Sequence, residues 1–400
     1  MKPRATGDGR IGFRARPVTH REHRIVSARL APMAPPTRTF RSDNNAGVTP
    51  EALAAIRDAA TGHAVGYGDD EWSARAVAAV RGLFGESAEV FFVATGTAAN
   101  TLAVASLTEP WQRVLCHAHS HWNDDESTAP ERLTHCRTTP IHPAGGDGSK
   151  LSPDDVARAG ASGRGDVHQP APGVLTISNP TEFGTVYTPD EMRDLCTAAG
   201  ALGYRVHVDG ARFANAVAFL TERGAGDQAE TCRALTVDAG VDAISFGGTK
   251  NGLALGEAVL FFRQGDGRAF DRAVETFPFH RKGTGHLVSK HRFISAPFAA
   301  TLPDGSWLGH AAHANAMASR LSDGLRGIGL PARFPVESNG VFLELSDRAH
   351  ESLWAAGHRY YPFGDPAWRI FRLMCSFDTA PEDVDAILAD ARAAADESTG

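Results

Sequence analysis

Asp209 in HVDGAR and Lys250 in SFGGTKNG stand 41 positions apart, each at the end of an apolar run. Lysine can form an imine with an aldehyde at neutral pH; arginine cannot, because it stays protonated. The chain has five lysines (Lys2, Lys150, Lys250, Lys282 and Lys290) and carries its other basic charge on arginine. An amine inside a Gly-rich apolar segment is therefore placed for its chemistry. A lysine and an aspartate in this order fit pyridoxal phosphate. The lysine forms the Schiff base, and the aspartate keeps the pyridine nitrogen protonated so that the ring can act as an electron sink. The competing reading of Asp209 is a helix N-cap, for which Asp is a favoured residue.

Four further strings carry candidate groups. In ATGTAAN, Gly96 and Thr97 follow an apolar run and open a helix, whose N-terminal N–H groups suit a phosphate; the alternative is a plain tight turn. Arg212 and Arg372 have the planar fork that suits a substrate carboxylate, with structural ion pairs as the alternative. His121 ends CHAHSH, where an imidazole can stack on a cofactor ring and move protons. His117, His119 and His121 also form H-x-H-x-H, which on a strand shares one face and has a metal-ligand spacing. That reading is the lesser one, and no metal site is assigned. From the residues alone, His168 in GDVHQP reads as a surface loop histidine, and Tyr67 in GYGDDEW as a packing aromatic.

The elements that must position these groups alternate. Helices are predicted after Thr49–Pro50, over DEWSARAVAAVRGLFG, after ATG and over TPDEMRDLCTAAGALG. Apolar strands are predicted in AEVFFVA, RVLCHAHSH, PGVLTISN, YRVHVDG, VDAISFGG and GEAVLFF. Alternation of this kind gives an α/β fold with a mostly parallel central sheet, whose active site lies at the C-terminal strand ends. Past Phe277 the pattern changes to a smaller α+β domain. It contains RFISAPFAATL, a helix over HAAHANAMASRLSDGLRGIG, strands in GVFLELS and WRIFRLMCSF, and a final helix PEDVDAILADARAAAD. The expected division is a basic, loosely packed extension at 1–39, a large domain at 40–276 and a small domain at 277–400.

Composition bounds the function. A net charge of −7 argues against a nucleic-acid binder. No apolar run approaches the roughly 18 residues of a membrane span. Five scattered cysteines with no CxxC pair suit reduced thiols in the cytoplasm.

Taken together, RSDNNAG, YGDDEW, TGTAAN, the loop from His121 to Glu131, DVH, TEFGTVYTPDE, HVDGAR, FGGTKNG, RFISAP, NGVFLEL and RLMCSFDT resemble the low-specificity L-threonine aldolases. These are pyridoxal phosphate enzymes of fold type I. The resemblance runs from about Phe40 to about Ala394. It implies Lys250 as the Schiff-base lysine, Asp209 as the ring-nitrogen partner, and phosphate binding at Gly96 and Thr97. It also implies His121 on the ring and the substrate carboxylate at Arg212 and Arg372, with Ser42 close by. His168 would lie near the substrate β-hydroxyl. Tyr67 would reach a neighbouring subunit's site in a homodimer or homotetramer, with Arg281 and Lys282 adding phosphate contacts there. The implied reaction is retro-aldol cleavage of L-threonine or L-allo-threonine to glycine and acetaldehyde, with His121 or His168 as base. The alternatives are another pyridoxal phosphate reaction on an amino acid (β-elimination, transamination, or synthesis of a larger β-hydroxy amino acid) and a metal-binding scaffold without catalysis. The sequence departs from the family at His117, Ala118, His119, Thr128, Gly283 and His286, and these positions bear on substrate preference.

Overall fold

A computed structural model describes residues 39–161 and 165–396; the extension expected at the N-terminus falls almost wholly outside them. Helix α1 (Pro50–Ala59) starts where Thr49 accepts the Ala52 N–H, with Pro50 at its first position. Helix α2 (Glu71–Phe84) starts at Asp70, whose carboxylate accepts the Ser73 N–H at 3.0 Å, and it stops at Gly85. Strand β1 (Glu89–Val93) feeds helix α3 (Gly96–Leu107), which is buried from Ala98 to its end. The strands that follow are β2 (Gln112–His117), β3 (Arg137–Ile141), β4 (Ala171–Ser178), β5 (Arg205–Gly210), β6 (Ala243–Gly247) and β7 (Glu257–Phe261).

These seven form one sheet in the order β1-β7-β6-β5-β4-β2-β3. Pairings from β6 through β5, β4 and β2 to β3 are parallel, whereas β7 runs antiparallel to both β6 and β1. The C-terminal ends of β2, β4, β5 and β6 therefore share one edge, which carries His117, Ser178, Asp209 and Gly247. Strand β3 was not read from the sequence. Its run RTTPI contains Pro140, and it forms at the sheet edge, where a missing N–H is tolerated.

One face of the sheet is closed by an aromatic layer. Phe84 meets Phe246 at 5.2 Å, and Phe246 meets Trp307 at 5.6 Å, both edge-on. Each fully buried phenylalanine here stabilises the fold by about 2–3 kcal/mol. The helix Ser306–Arg326 spans two cores. Trp307 and Ala311 pack on the large sheet, while Ala318, Leu321 and Leu325 pack on a second, antiparallel sheet. That sheet has β10 (Ile370–Met374) between β8 (Gly340–Glu344) and β9 (Tyr361–Phe363).

Packing places the change of core differently from the expected 276/277 division. Helix Arg292–Thr301 lies on α1 and α2, with Ile294 and Phe298 in the large core. Phe40 packs in the small core, held by hydrogen bonds to the backbone of Arg359 and Met374. Every described residue belongs to one contact unit. Pro297 in RFISAPFAATL and Pro278 in the helix Arg268–Gly283 disguised these helices in the sequence.

Candidate active site

Lys250 sits on a short 3-10 turn, Thr249–Asn251, directly after β6. Two glycines make this turn possible. A Cβ at Gly247 would run into the Ala211 backbone, and one at Gly252, which adopts φ 88°, would collide with the Thr49 side chain. The turn is tied down by Thr49 N–H to Gly252 O at 2.9 Å and by Asn251 Nδ2 to Trp307 O at 2.8 Å. Lys250 thereby lines a cavity of about 250 Å³ with Gly96, Thr97, His121, Asp209 and Glu257. The strand ends and the start of α3 bring Lys250, Asp209, His121, Gly96 and Thr97 to one cavity, together with Glu257.

Asp209 is the penultimate residue of β5 and is 8% exposed. Its carboxylate begins a chain across the cavity floor. Asn100 Nδ2 donates to Asp209 Oδ2 at 2.9 Å and to Glu126 Oε1 at 3.0 Å. Glu126 Oε1 in turn lies 2.9 Å from His121 Nδ1. Burial opposes a charge on His121, but the Glu126 contact, with help from Asp209, wins and holds the imidazole above its usual range. Burial likewise opposes ionisation of Glu126; contact with His121 and hydrogen bonds from Thr97 and Asn100 outweigh it and lower its range. The N–H groups that α3 presents at Gly96 and Thr97 have no partner among the described residues, since Ala98 and Ala99 donate back to Thr95. Beneath Asp209, His207 is held between Thr176 Oγ1 (2.8 Å) and Ser245 Oγ (3.0 Å), and burial pushes it down to about 4, so it is neutral.

Arg212 and Arg372 are in unequal states. Arg212 gives Nε and Nη2 to Asp43 at 2.6 and 3.0 Å, a bidentate pair that leaves only Nη1 outside the fork. Asn339 Nδ2 adds a third bond to Asp43 at 3.0 Å. Burial raises Asp43, but Arg212, Lys250 and these hydrogen bonds overcome it and bring it down to about 2. Arg372 has a buried Nε with no partner, and burial and the nearby Arg212 lower its guanidinium. No carboxylate forms an ion pair with Arg372 among the described residues, although Glu182, Asp43 and Asp125 act on it from further away, so it is placed to take an anion. Ser42 caps the turn that presents Asp43, accepting the Asn44 N–H at 3.2 Å.

Two expectations fail within one chain. His168 is exposed at the N-terminal end of β4, its N–H bonded to Asp166. The strand's eight residues put roughly 26 Å between it and the catalytic edge. The run CHAHSH does not stay a strand: β2 stops at His117, and His121 opens a short helix, so the three rings do not share a face. His117 has both nitrogens engaged, Nε2 with Gly148 O and Nδ1 with the His119 N–H. No group of three or more His, Cys, Asp or Glu placed to hold a metal exists among the described residues. Tyr67 is half exposed and lies outside this cavity, with Lys282 Nζ 4.9 Å from its ring centre. Arg281 points to the Phe92 carbonyl at 3.3 Å.

The sequence reading missed Asp43, Asn100, Glu257 and Asn339, and it noted Glu126 only as an acidic neighbour of the histidines. A signal existed for Glu257: a carboxylate at the head of the apolar run EAVLFF has no solvent-facing role on a central strand.

This topology is that of the fold type I pyridoxal phosphate enzymes. The beta-eliminating lyase family model matches residues 39–348. A low-specificity L-threonine aldolase from a Pseudomonas species is 44% identical over 90% of this chain and 99% of its own. Among solved structures, a threonine aldolase from Leishmania major is similar with a TM-score of 0.77, at 27% identity over 89% of this chain and 99% of that one. A Sphingomonas wittichii serine palmitoyltransferase shares the fold at a TM-score of 0.65 and 18% identity, over 91% of this chain and 88% of its own. The chain belongs to the beta-eliminating lyase family and, within it, to the low-specificity L-threonine aldolases.

Proposed function

We propose that this chain is a lyase that cleaves L-threonine, L-allo-threonine and related β-hydroxy-α-amino acids to glycine and an aldehyde, with pyridoxal phosphate on Lys250. The observation that carries the reading is one cavity that holds a lysine, a buried aspartate, an imidazole and a helix start with unused N–H groups. The donor set fits the cofactor. Gly96 and Thr97 would hold its phosphate, Asp209 would pair with its ring nitrogen and His121 would lie on its ring. Bound there, pyridoxal phosphate supplies the electron sink that takes up the charge left when Cα–Cβ breaks.

The chain's own groups do the rest. Arg372 binds the substrate carboxylate through its guanidinium, and Arg212 contributes Nη1 while Asp43 keeps its fork rigid. The Glu126 carboxylate, 2.9 Å from His121 Nδ1, favours a proton on that nitrogen and leaves Nε2 to take the β-hydroxyl proton. The imidazolium formed is then stabilised by the Glu126 carboxylate. We assign the base to His121, because His168 lies at the far end of the sheet from its own chain's cavity. The enzyme works in the cytoplasm as a homodimer or homotetramer, with the exposed Tyr67 directed at a neighbouring subunit. Its five free cysteines are all buried, which agrees with a reducing compartment.

Lys250→Ala should lose both the ~420 nm absorbance of a lysine–pyridoxal imine and turnover of threonine. A yellow, active variant would overturn the assignment. Product analysis separates the chemistries: glycine plus aldehyde supports aldol cleavage, and pyruvate or another 2-keto acid shows elimination or transamination instead.

A further inference from the structure

Glu182 has no part in the mechanism above, yet it is bonded to the main chain of the residue assigned as base. Its Oε1 accepts the His121 N–H at 3.2 Å and the Ser178 hydroxyl at 3.3 Å. Ser178 is the last residue of β4 and stands opposite Asp209 in the β4–β5 register. The next residue, Asn179, gives its N–H to the Asp209 carbonyl at 3.0 Å. One carboxylate oxygen therefore joins the backbone of His121 to the strand end beside Asp209.

The turn that presents Glu182 is fixed on two sides. Thr181 N–H donates to Thr185 O at 2.8 Å, and the two threonine hydroxyls meet at 2.7 Å. Phe183 is buried against Phe334 and Phe363, with ring centres 4.8 and 5.3 Å away, and Ser338 Oγ donates to Gly184 O at 3.0 Å. The segment that Glu182 reaches is held at the margin of the sheet. Its Ala118 N–H goes to Ile141 O at 2.8 Å and its Trp122 Nε1 to Thr138 Oγ1 at 3.2 Å, both on the edge strand β3. Glu126 engages the His121 ring from five residues further along the same segment. Glu182 instead fastens the His121 main chain to an interior strand. It forms no ion pair with Arg212 or Arg372 among the described residues, although its charge acts on both.

We propose that Glu182 is a positioning residue for the cleavage: it sets the place of the His121 main chain, as Glu126 sets the ring, and so keeps Nε2 within reach of the β-hydroxyl. The proposal rests on the reading of His121 as the base. A base must lie within about 2.6–3.2 Å of the atom whose proton it takes. Misplacing a reacting group by about 1 Å can cost about 100-fold in rate. What the role asks of Glu182 is the reach of its oxygen; the charge is secondary.

The test separates reach from charge with two substitutions in the holoenzyme. Glu182→Asp keeps the charge and draws the oxygen back by one C–C bond, about 1.5 Å. Its kcat for threonine cleavage should fall about 10-fold or more, with KM nearly unchanged. Glu182→Gln keeps an oxygen at the same reach and loses the charge. A neutral acceptor bonds roughly half as strongly as a charged one, so kcat should stay within about 3-fold of wild type. Wild-type kcat in Glu182→Asp, or an equal loss in both variants, would overturn the proposal. A second measurement tells positioning from a general loosening of the fold. Added to His121→Asn, Glu182→Asp should cost nothing further, because a residue that acts through His121 has nothing left to place. The full loss on top of His121→Asn would overturn the proposal. His121→Asn alone keeps the two readings apart. Wild-type kcat there breaks the reading of His121 as base, whereas a defective His121→Asn beside a normal Glu182→Asp breaks only the role of Glu182.

Discussion

At the lysine end of the cavity, acidic groups outnumber cations: Asp209, Glu126 and Glu257 surround Lys250 and His121. At the arginine end, beside the cavity, the buried Asp43 is paired with Arg212, and no carboxylate forms an ion pair with Arg372 among the described residues. The lysine end is built from short segments at strand ends and uses neutral donors (Asn100 and Thr97) to share its charges out. The arginine end joins residues as distant as Asp43, Arg212, Asn339 and Arg372 and leaves one cation outside any ion pair among the described residues. The first arrangement suits proton movement at nearly constant charge. The second suits capture of an anion from solution.

The sharpest way to break this contrast is Arg372→Ala. If Arg372 is the receptor for the carboxylate, kcat/KM for threonine should fall about 30-fold or more, the cost of truncating one partner of a desolvated charge pair. The cofactor absorbance should be unchanged. A variant that instead loses absorbance and keeps its KM would place Arg372 with the cofactor.

Asp43→Asn tests whether Arg212 is matched internally. It leaves a buried guanidinium without its counter-ion, and stability read by denaturant unfolding should drop by about 3–5 kcal/mol. The acid limb carries the same information. Asp43 is depressed from 3.8 to about 2, so its contribution is complete above 3.8 and is lost as pH falls through 3.8 to 2. That contribution is about 2 kcal/mol, and Asp43→Asn should lack this acid step.

The smallest effect is expected from Glu126→Gln. His121 is held above its usual range against burial. Without the carboxylate, burial should prevail and the imidazole should titrate at lower pH. The alkaline-side plateau of kcat would then extend to lower pH, with a plateau change well under the ~100-fold expected for loss of an acid–base group. An unmoved profile would detach His121 from proton transfer.

Much of the lysine end was legible in the sequence because each of its motifs is local. A strand, a small-residue turn and a helix start put Gly96 where it is, and HVDGAR and FGGTKNG carry their own geometry. The arginine end was legible only in part. Arg212 stood out as a guanidinium near a strand end, but nothing in RSDNNAG announces that Asp43 fills its fork. The loop histidine showed the opposite failure. His168 is attached to the right strand, yet to its wrong end, because a motif gives proximity in sequence and a strand converts that into distance.

The sequence by itself determined the chemistry: a lone lysine in a glycine-framed turn, an aspartate ending an apolar strand, and a parallel sheet whose ends bring them to one edge. Local pattern suffices there, because the period of a strand and the φ of a glycine are set by the residue itself. Only the tertiary structure decided which charges are already matched. Whether Arg212, Arg372 or His121 is free depends on partners up to several hundred residues away and on how much water burial removes, and neither is written in any single segment.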